Sequence, residues 1–178
     1  MTILGLDIST ARTGYTLLHD DGKIFKLGYI DLKNKKKFPD LFSKAKHVRS
    51  IINTLHLHHK IDYIYIEPAL VLFQKGKSSA MTISALLKFN GIVSNIVFEE
   101  TSKIPTYIPV ATARKVCGVK IPKGEKAKKC VMEHLLRTEP DFANVIETTK
   151  KGNIAQQYYD VADSFIIAKS GYLLYHAK

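Results

Sequence analysis

Asp7, Glu67, Asp160 and Asp163 are the side chains of this 178-residue chain whose types and spacing could do chemistry. Asp7 closes the apolar run Ile3-Leu4-Gly5-Leu6, and Glu67 closes the β-rich run from Ile61 to Ile66, just before Pro68. A carboxylate at the mouth of a buried strand has lost part of its hydration and needs a partner. Proline cannot continue a strand ladder, so Glu67 sits where a strand gives way to a loop, the same placement as Asp7. Ligands gather beyond strand ends in open α/β sheets. Asp160-Val161-Ala162-Asp163 lies in a segment of helical period, and i, i+3 spacing sets both carboxylates on one face. There they are too close to stay ionised comfortably without a cation between them. Ser164 to Ala168 follow, so this face is flanked by core residues rather than by solvent. Asp7 alone would read as a turn cap; the set changes that reading. Hard oxygen donors suit Mg2+ or Mn2+, not zinc. Two such cations about 4 Å apart favour in-line attack on a phosphodiester, one activating water and the other stabilising the leaving 3′ oxygen.

The elements that must position these acids follow from periodicity and turn chemistry. After Asp7 comes a small, polar turn, Ile8 to Gly14, tight enough to call for glycine at position 14, and then an apolar strand, Tyr15 to Leu18. Asp21-Gly22 marks a second hairpin, and Ile24 to Leu32 reads as a third strand, giving an antiparallel meander. Leu41 to Leu57 is helical by period, beginning at Pro39-Asp40 and ending in His56, His58 and His59, whose cationic forms suit a helix carboxyl terminus better than a metal site. A long helix spans Ser78 to about Ile96, with Gly91 permitting close packing and an apolar stripe that serves the core or a dimer face. Thr106 to Val110 is a short edge-like strand, Ala111 to Val116 a short helix closed by Gly118, and Glu125 to Arg137 a further helix. Thr138 to Asn153 reads as a polar, mobile connector, and Ile154 to His176 as the last helix.

A formal net charge of +11 points to a polyanionic partner, and no long basic amphipathic helix directs it to a membrane, so nucleic acid leads. Lys126, Lys128 and Lys129 crowd the start of a helix, where cations are locally unfavourable; contact with phosphate would account for them. Arg114, Lys115 and Lys123 extend this basic set. In the segment Ala69 to Lys77, Leu70, Leu72 and Phe73 alternate with Lys75 and Lys77, a pattern suited to unstacking bases while gripping phosphate. Cys117 and Cys130 form no zinc spacing, and two free thiols fit a reducing, cytosol-like compartment, a nucleoid, host-cell interior or organelle matrix included. No apolar run is read as a membrane span, and no leader is read at the amino end.

In their order along the chain, Ile3-Leu4-Gly5-Leu6-Asp7 with Gly14-Tyr15, Ile64-Tyr65-Ile66-Glu67 and Asp160 to Phe165 resemble the RuvC-type Holliday-junction resolvases of the RNase H-like superfamily. Ile108-Pro109 followed by Arg114 to Gly118, and Gly124 to Lys128, are similar to that family's basic junction-binding segment. The resemblance implies an α/β, RNase H-like fold over a single domain, 1–178, with a five-stranded mixed sheet, three antiparallel strands first, and helices on both faces. It implies a homodimer that nicks four-way DNA junctions symmetrically, in recombination and repair, with Asp7, Glu67, Asp160 and Asp163 as catalytic metal ligands for Mg2+ or Mn2+. DNA would be held by Arg114, Lys115, Lys123, Lys126, Lys128, Lys75, Lys77 and Phe73, with Phe73 or Leu70 as wedge and no organic cofactor. Ile8-Ser9 replaces the family's usual Pro-Gly, and the loop after Glu67 is long, marking a divergent branch, viral or organellar. The alternative is another RNase H-like nuclease acting on RNA–DNA hybrid, branched DNA or structured RNA. An actin-like sugar kinase shares the first strand ending in Asp, but the chain is short for two such domains.

Overall fold

Residues 1–69 and 79–177 are described in this computed structural model, so the wedge segment with Leu70, Leu72, Phe73, Lys75 and Lys77 lies outside the described residues. The strands are β1 (Ile3–Asp7), β2 (Arg12–Leu18), β3 (Ile24–Asp31), β4 (Tyr63–Ile66) and β5 (Thr106–Tyr107). They form one five-stranded sheet in the order β3-β2-β1-β4-β5. β1 pairs antiparallel with β2 and parallel with β4, and β3 and β5 lie at the edges. The helices are α1 (Leu41–His59), α2 (Ala80–Thr101), α3 (Val110–Val116), α4 (Ala127–Thr138), α5 (Pro140–Ala143) and α6 (Gln157–His176).

Strand alternation sorts residues onto two faces. Leu4, Leu6, Leu17, Ile64 and Ile66 pack with Val48, Ile52, Phe89, Val93 and Val97, so α1 and α2 cover one face. Ile3, Leu18 and Tyr65 pack with Val131, Leu135, Phe142, Val161, Phe165 and Ile166, so α4, α5 and α6 cover the other. α6 is buried nearly all round from Val161 to Ala168, as a helix between a sheet and other helices must be. α1 starts in a capping box in which the Asp40 side chain accepts from the Ser43 amide at 2.7 Å, and ends at Lys60 in the left-handed region, φ 43°. His58 turns back to the Thr54 carbonyl and His56 accepts from the Ile61 amide, so these histidines finish a helix.

Four expectations change. Gly14 lies inside β2 opposite Asp7, not in a turn. Gly91 has nothing within 4 Å of where its Cβ would stand, so it permits no close packing. The stretch after Thr138 is anchored: Phe142 is fully buried against Phe165, ring centroids 5.6 Å apart, and Thr148 pairs with Ile154. α2 is longer than its stripe indicated and is apolar enough to span a bilayer by length and composition, although its buried face carries core residues. Its surplus lies outside: Met81, Leu87 and Phe98 are exposed, as is Phe42 on α1.

Candidate active site

Asp7 and Glu67 share the α6 face of the sheet by parity, following Ile3 and Gly5 in one strand and Tyr63 and Tyr65 in the other. The Glu67 amide donates to the Leu6 carbonyl at 3.1 Å, which extends the β1–β4 ladder to the acid, and Asn90 Nδ2 fixes the Glu67 carbonyl at 3.0 Å. α6 comes down on these strand ends because small residues admit its backbone. A Cβ on Gly14 would stand 2.2 Å from the Asp160 carbonyl oxygen, and one on Gly5 2.5 Å from that of Ser164. Thr16 and Ser164 hydroxyls meet between them at 2.9 Å, both buried. The first turns of α6, with Asp160 and Asp163, are thereby laid over Asp7 and Glu67. The Ile8-Ser9 variation is accommodated locally: Ile8 is buried, and Ser9 Oγ accepts from the Ala11 and Arg12 amides at 3.2 and 3.3 Å, closing the turn after Asp7.

The four acids feel one another. Burial raises the Asp7 carboxyl well above its ordinary range, and the charges of Asp163, Glu67 and Asp160 push the same way against Lys128. Glu67 is pushed up to about 7, first by burial and then by Asp163, with Arg114 and Lys128 opposing. Protein cations fill the gap. Lys128 Nζ lies 3.0 Å from Asp160 Oδ1 and 3.1 Å from Asp163 Oδ2. Burial alone would lower the lysine's pKa, but Asp163, Asp160 and Asp7 together outweigh it and raise the value. Arg12 Nη1 donates to Asp160 Oδ2 at 2.7 Å, and the guanidinium rests 5.7 Å from the centroid of the Tyr29 ring. Arg114 Nη2 stands 3.5 Å from Asp163 Oδ1, an oxygen that is buried without a hydrogen-bond partner.

The structure thus brings Asp7, Glu67, Asp160 and Asp163 together and turns Arg114 and Lys128 inward among them, where phosphate contact alone had been expected. Lys115, Lys123 and Lys126 are exposed on α3 and on the approach to α4. Two residues escaped the sequence reading. Asn90 sits in an apolar helix. Arg12 is 6% exposed although it is an arginine, and its signal was parity, since Arg12, Gly14, Thr16 and Leu18 all point to one face.

Hard oxygen donors, acids driven toward protonation by burial and by one another, and a buried carboxylate oxygen without a hydrogen bond all fit a divalent cation. Among the described residues no three His, Cys, Asp or Glu side chains converge on one point as they stand. The Lys128 ammonium occupies the space between Asp160 and Asp163.

A family model described as crossover junction endodeoxyribonuclease RuvC matches residues 3–164. The chain belongs to the RuvC family. The crossover junction endodeoxyribonuclease RuvC of Aliarcobacter butzleri is 28% identical over 121 residues, covering 66% of this chain and 73% of that protein. RuvC of Sulfurovum is 26% identical over 121 residues, covering 66% and 70%. Among solved structures, Thermus thermophilus RuvC superimposes with a TM-score of 0.66 at 11% identity, covering 99% of this chain and 96% of that one. The yeast mitochondrial Holliday junction resolvase gives 0.62 at 17%, covering 98% and 78%. At these identities the structural likeness establishes the shared RuvC fold, five-stranded mixed sheet included.

Proposed function

We propose that this RuvC-family endodeoxyribonuclease resolves four-way DNA junctions, with Asp7, Glu67, Asp160 and Asp163 holding Mg2+ or Mn2+. The observation that carries this reading is the placement of the Asp160–Asp163 pair over two strand-end acids in a chain of net charge +11. T. thermophilus RuvC, of the same fold, has been solved in complex with a Holliday junction substrate. When bound, the cations supply an activated water and stabilise the leaving 3′ oxygen. The chain's own residues set the geometry. Asn90 fixes the strand end at Glu67, Arg12 orients Asp160, and Arg114 lies beside Asp163. Lys115, Lys123 and Lys126 take flanking phosphates, giving salt-dependent affinity; Lys75, Lys77 and Phe73 join them on the sequence pattern alone.

Symmetric nicking calls for two sites, and the exposed apolar side chains Phe42 and Leu87, which line a groove together with Ala45, Gly91 and Ile92, form the surface that a second copy covers. Residues 1–178 act as one nuclease domain, since both cores share one sheet. The compartment is a reducing one, consistent with free Cys117 and Cys130.

The test is a cleavage assay on an immobile four-way junction. Wild type should give paired symmetric nicks, while Asp7→Asn and Glu67→Gln should bind the junction and fail to cut it. Near wild-type cutting by either variant would refute the metal assignment. Preferential cutting of RNA–DNA hybrid or linear duplex would replace the resolvase reading with that of another RNase H-like nuclease.

A further inference from the structure

Three cations stand in the acid cluster, and they differ in freedom. The side chains of Arg12 and Arg114 are 8% and 17% exposed, whereas that of Lys128 is 49% exposed. We propose that Lys128 is a tethered counter-ion that closes the Asp160–Asp163 pair in the metal-free protein and must leave it for a divalent cation to bind. The inference rests on the metal assignment above and concerns what competes for that site.

The geometry supports displacement rather than permanent bridging. Lys128 Nζ contacts Asp160 Oδ1 and Asp163 Oδ2 at 3.0 and 3.1 Å, so it fills the space that a divalent cation bridging these two oxygens would need, and its charge opposes a second cation there. Asp160 stays anchored without it, because its other oxygen, Oδ2, is held by Arg12 at 2.7 Å. Withdrawal of Lys128 therefore frees Asp160 Oδ1 and Asp163 Oδ2 beside Asp163 Oδ1, which already lacks a hydrogen-bond partner. Lys128 is the second residue of α4, whose N-cap Lys126 makes no side-chain cap hydrogen bond, so its own helix end repels it. Its neighbour Lys129 instead faces outward to Glu133 at 3.7 Å. A long, half-exposed lysine stem can swing its ammonium from carboxylate to phosphate. DNA offers that alternative partner, so DNA and metal should favour each other's binding, reciprocally, through this residue.

The test is Mn2+ titration of the metal-stripped full-length protein, followed by electron paramagnetic resonance at fixed pH and salt. Lys128→Gln should bind Mn2+ about fivefold tighter than wild type, the worth of two ion pairs made by a half-exposed lysine. Lys129→Gln, which removes the same charge one residue away, and Lys128→Arg, which retains it, should stay within about twofold of wild type. In thermal melts Lys128→Gln should lie lower without metal and gain more on adding Mn2+. Equal or weaker Mn2+ binding by Lys128→Gln, with wild type binding normally, would overturn the counter-ion proposal alone. Absence of Mn2+ binding in every variant would overturn the metal assignment and this proposal together.

Discussion

The two faces of the central sheet bury side chains of different size, and the consequences differ in kind. Toward α1 and α2 the strands present Leu4, Leu6, Leu17, Ile64 and Ile66, branched side chains that stand between the sheet and the helices. Toward α6 the same strands present Gly5, Gly14 and Thr16, and a helix backbone descends to contact. The first face gains stability from apolar area. The second is also a core, through Ile3, Leu18 and Tyr65, but at Gly5 and Gly14 it gives up side chains and in return sets the Asp160–Asp163 pair over Asp7 and Glu67. Small residues under a helix are therefore part of the site, although none of them carries a functional group.

The decisive contrast is a methyl added under α6 against one added on the exposed surface of α2. Gly14→Ala forces a Cβ to 2.2 Å from the Asp160 carbonyl and should cost about 3 kcal/mol or more in urea denaturation, with junction cleavage lost. Gly91→Ala, with open space around its Cβ, should change stability by less than about 1 kcal/mol. Comparable costs for the two would mean that close approach of α6 is not what matters.

Next in size is Arg12→Met. It strips the buried cation from Asp160 and should destabilise by about 3 kcal/mol, because the half-exposed Lys128 is then left to compensate that carboxylate alone. Loss of less than about 1 kcal/mol would place the anchoring of Asp160 elsewhere.

The smallest effect is read by pH. A carboxyl whose folded value is raised keeps its proton in the folded state after the unfolded chain has released it. For Glu67 that window runs from its ordinary value of 4.5 up to about 7, so the metal-free protein should lose stability as pH rises through it. Asp7 contributes with the same sign from 3.8 upward. Glu67→Gln should flatten this slope, removing at most about 3 kcal/mol of it, and Mn2+ should oppose the loss by stabilising the ionised ligands. A slope unchanged by Glu67→Gln would mean that neither burial nor the neighbouring acids raise Glu67 in the folded protein.

The placement of the four acids was legible because each is marked locally, Asp7 and Glu67 by the strands they terminate and Asp160 and Asp163 by helical spacing. The antiparallel meander followed from its turns and the five-stranded mixed sheet from the family pattern, whereas the parallel pairing of β4 with β1 had no local mark. What stayed hidden depends on contacts across the chain. Arg12 meets a partner 148 positions away, and only strand parity hinted that it turned inward. Period also cannot say that Lys128 faces the acids while Lys129 meets solvent. Phe142 anchors its connector through one ring in an otherwise polar stretch, a signal too small for periodicity to carry.

The most direct measurement is anomalous diffraction from a crystal of the protein soaked in Mn2+. Manganese peaks should appear bounded by the carboxylates of Asp7, Glu67, Asp160 and Asp163, with the Lys128 ammonium withdrawn from between the last two. Manganese bound elsewhere, or no peak with Lys128 still bridging Asp160 and Asp163 at saturating metal, would contradict the metal assignment.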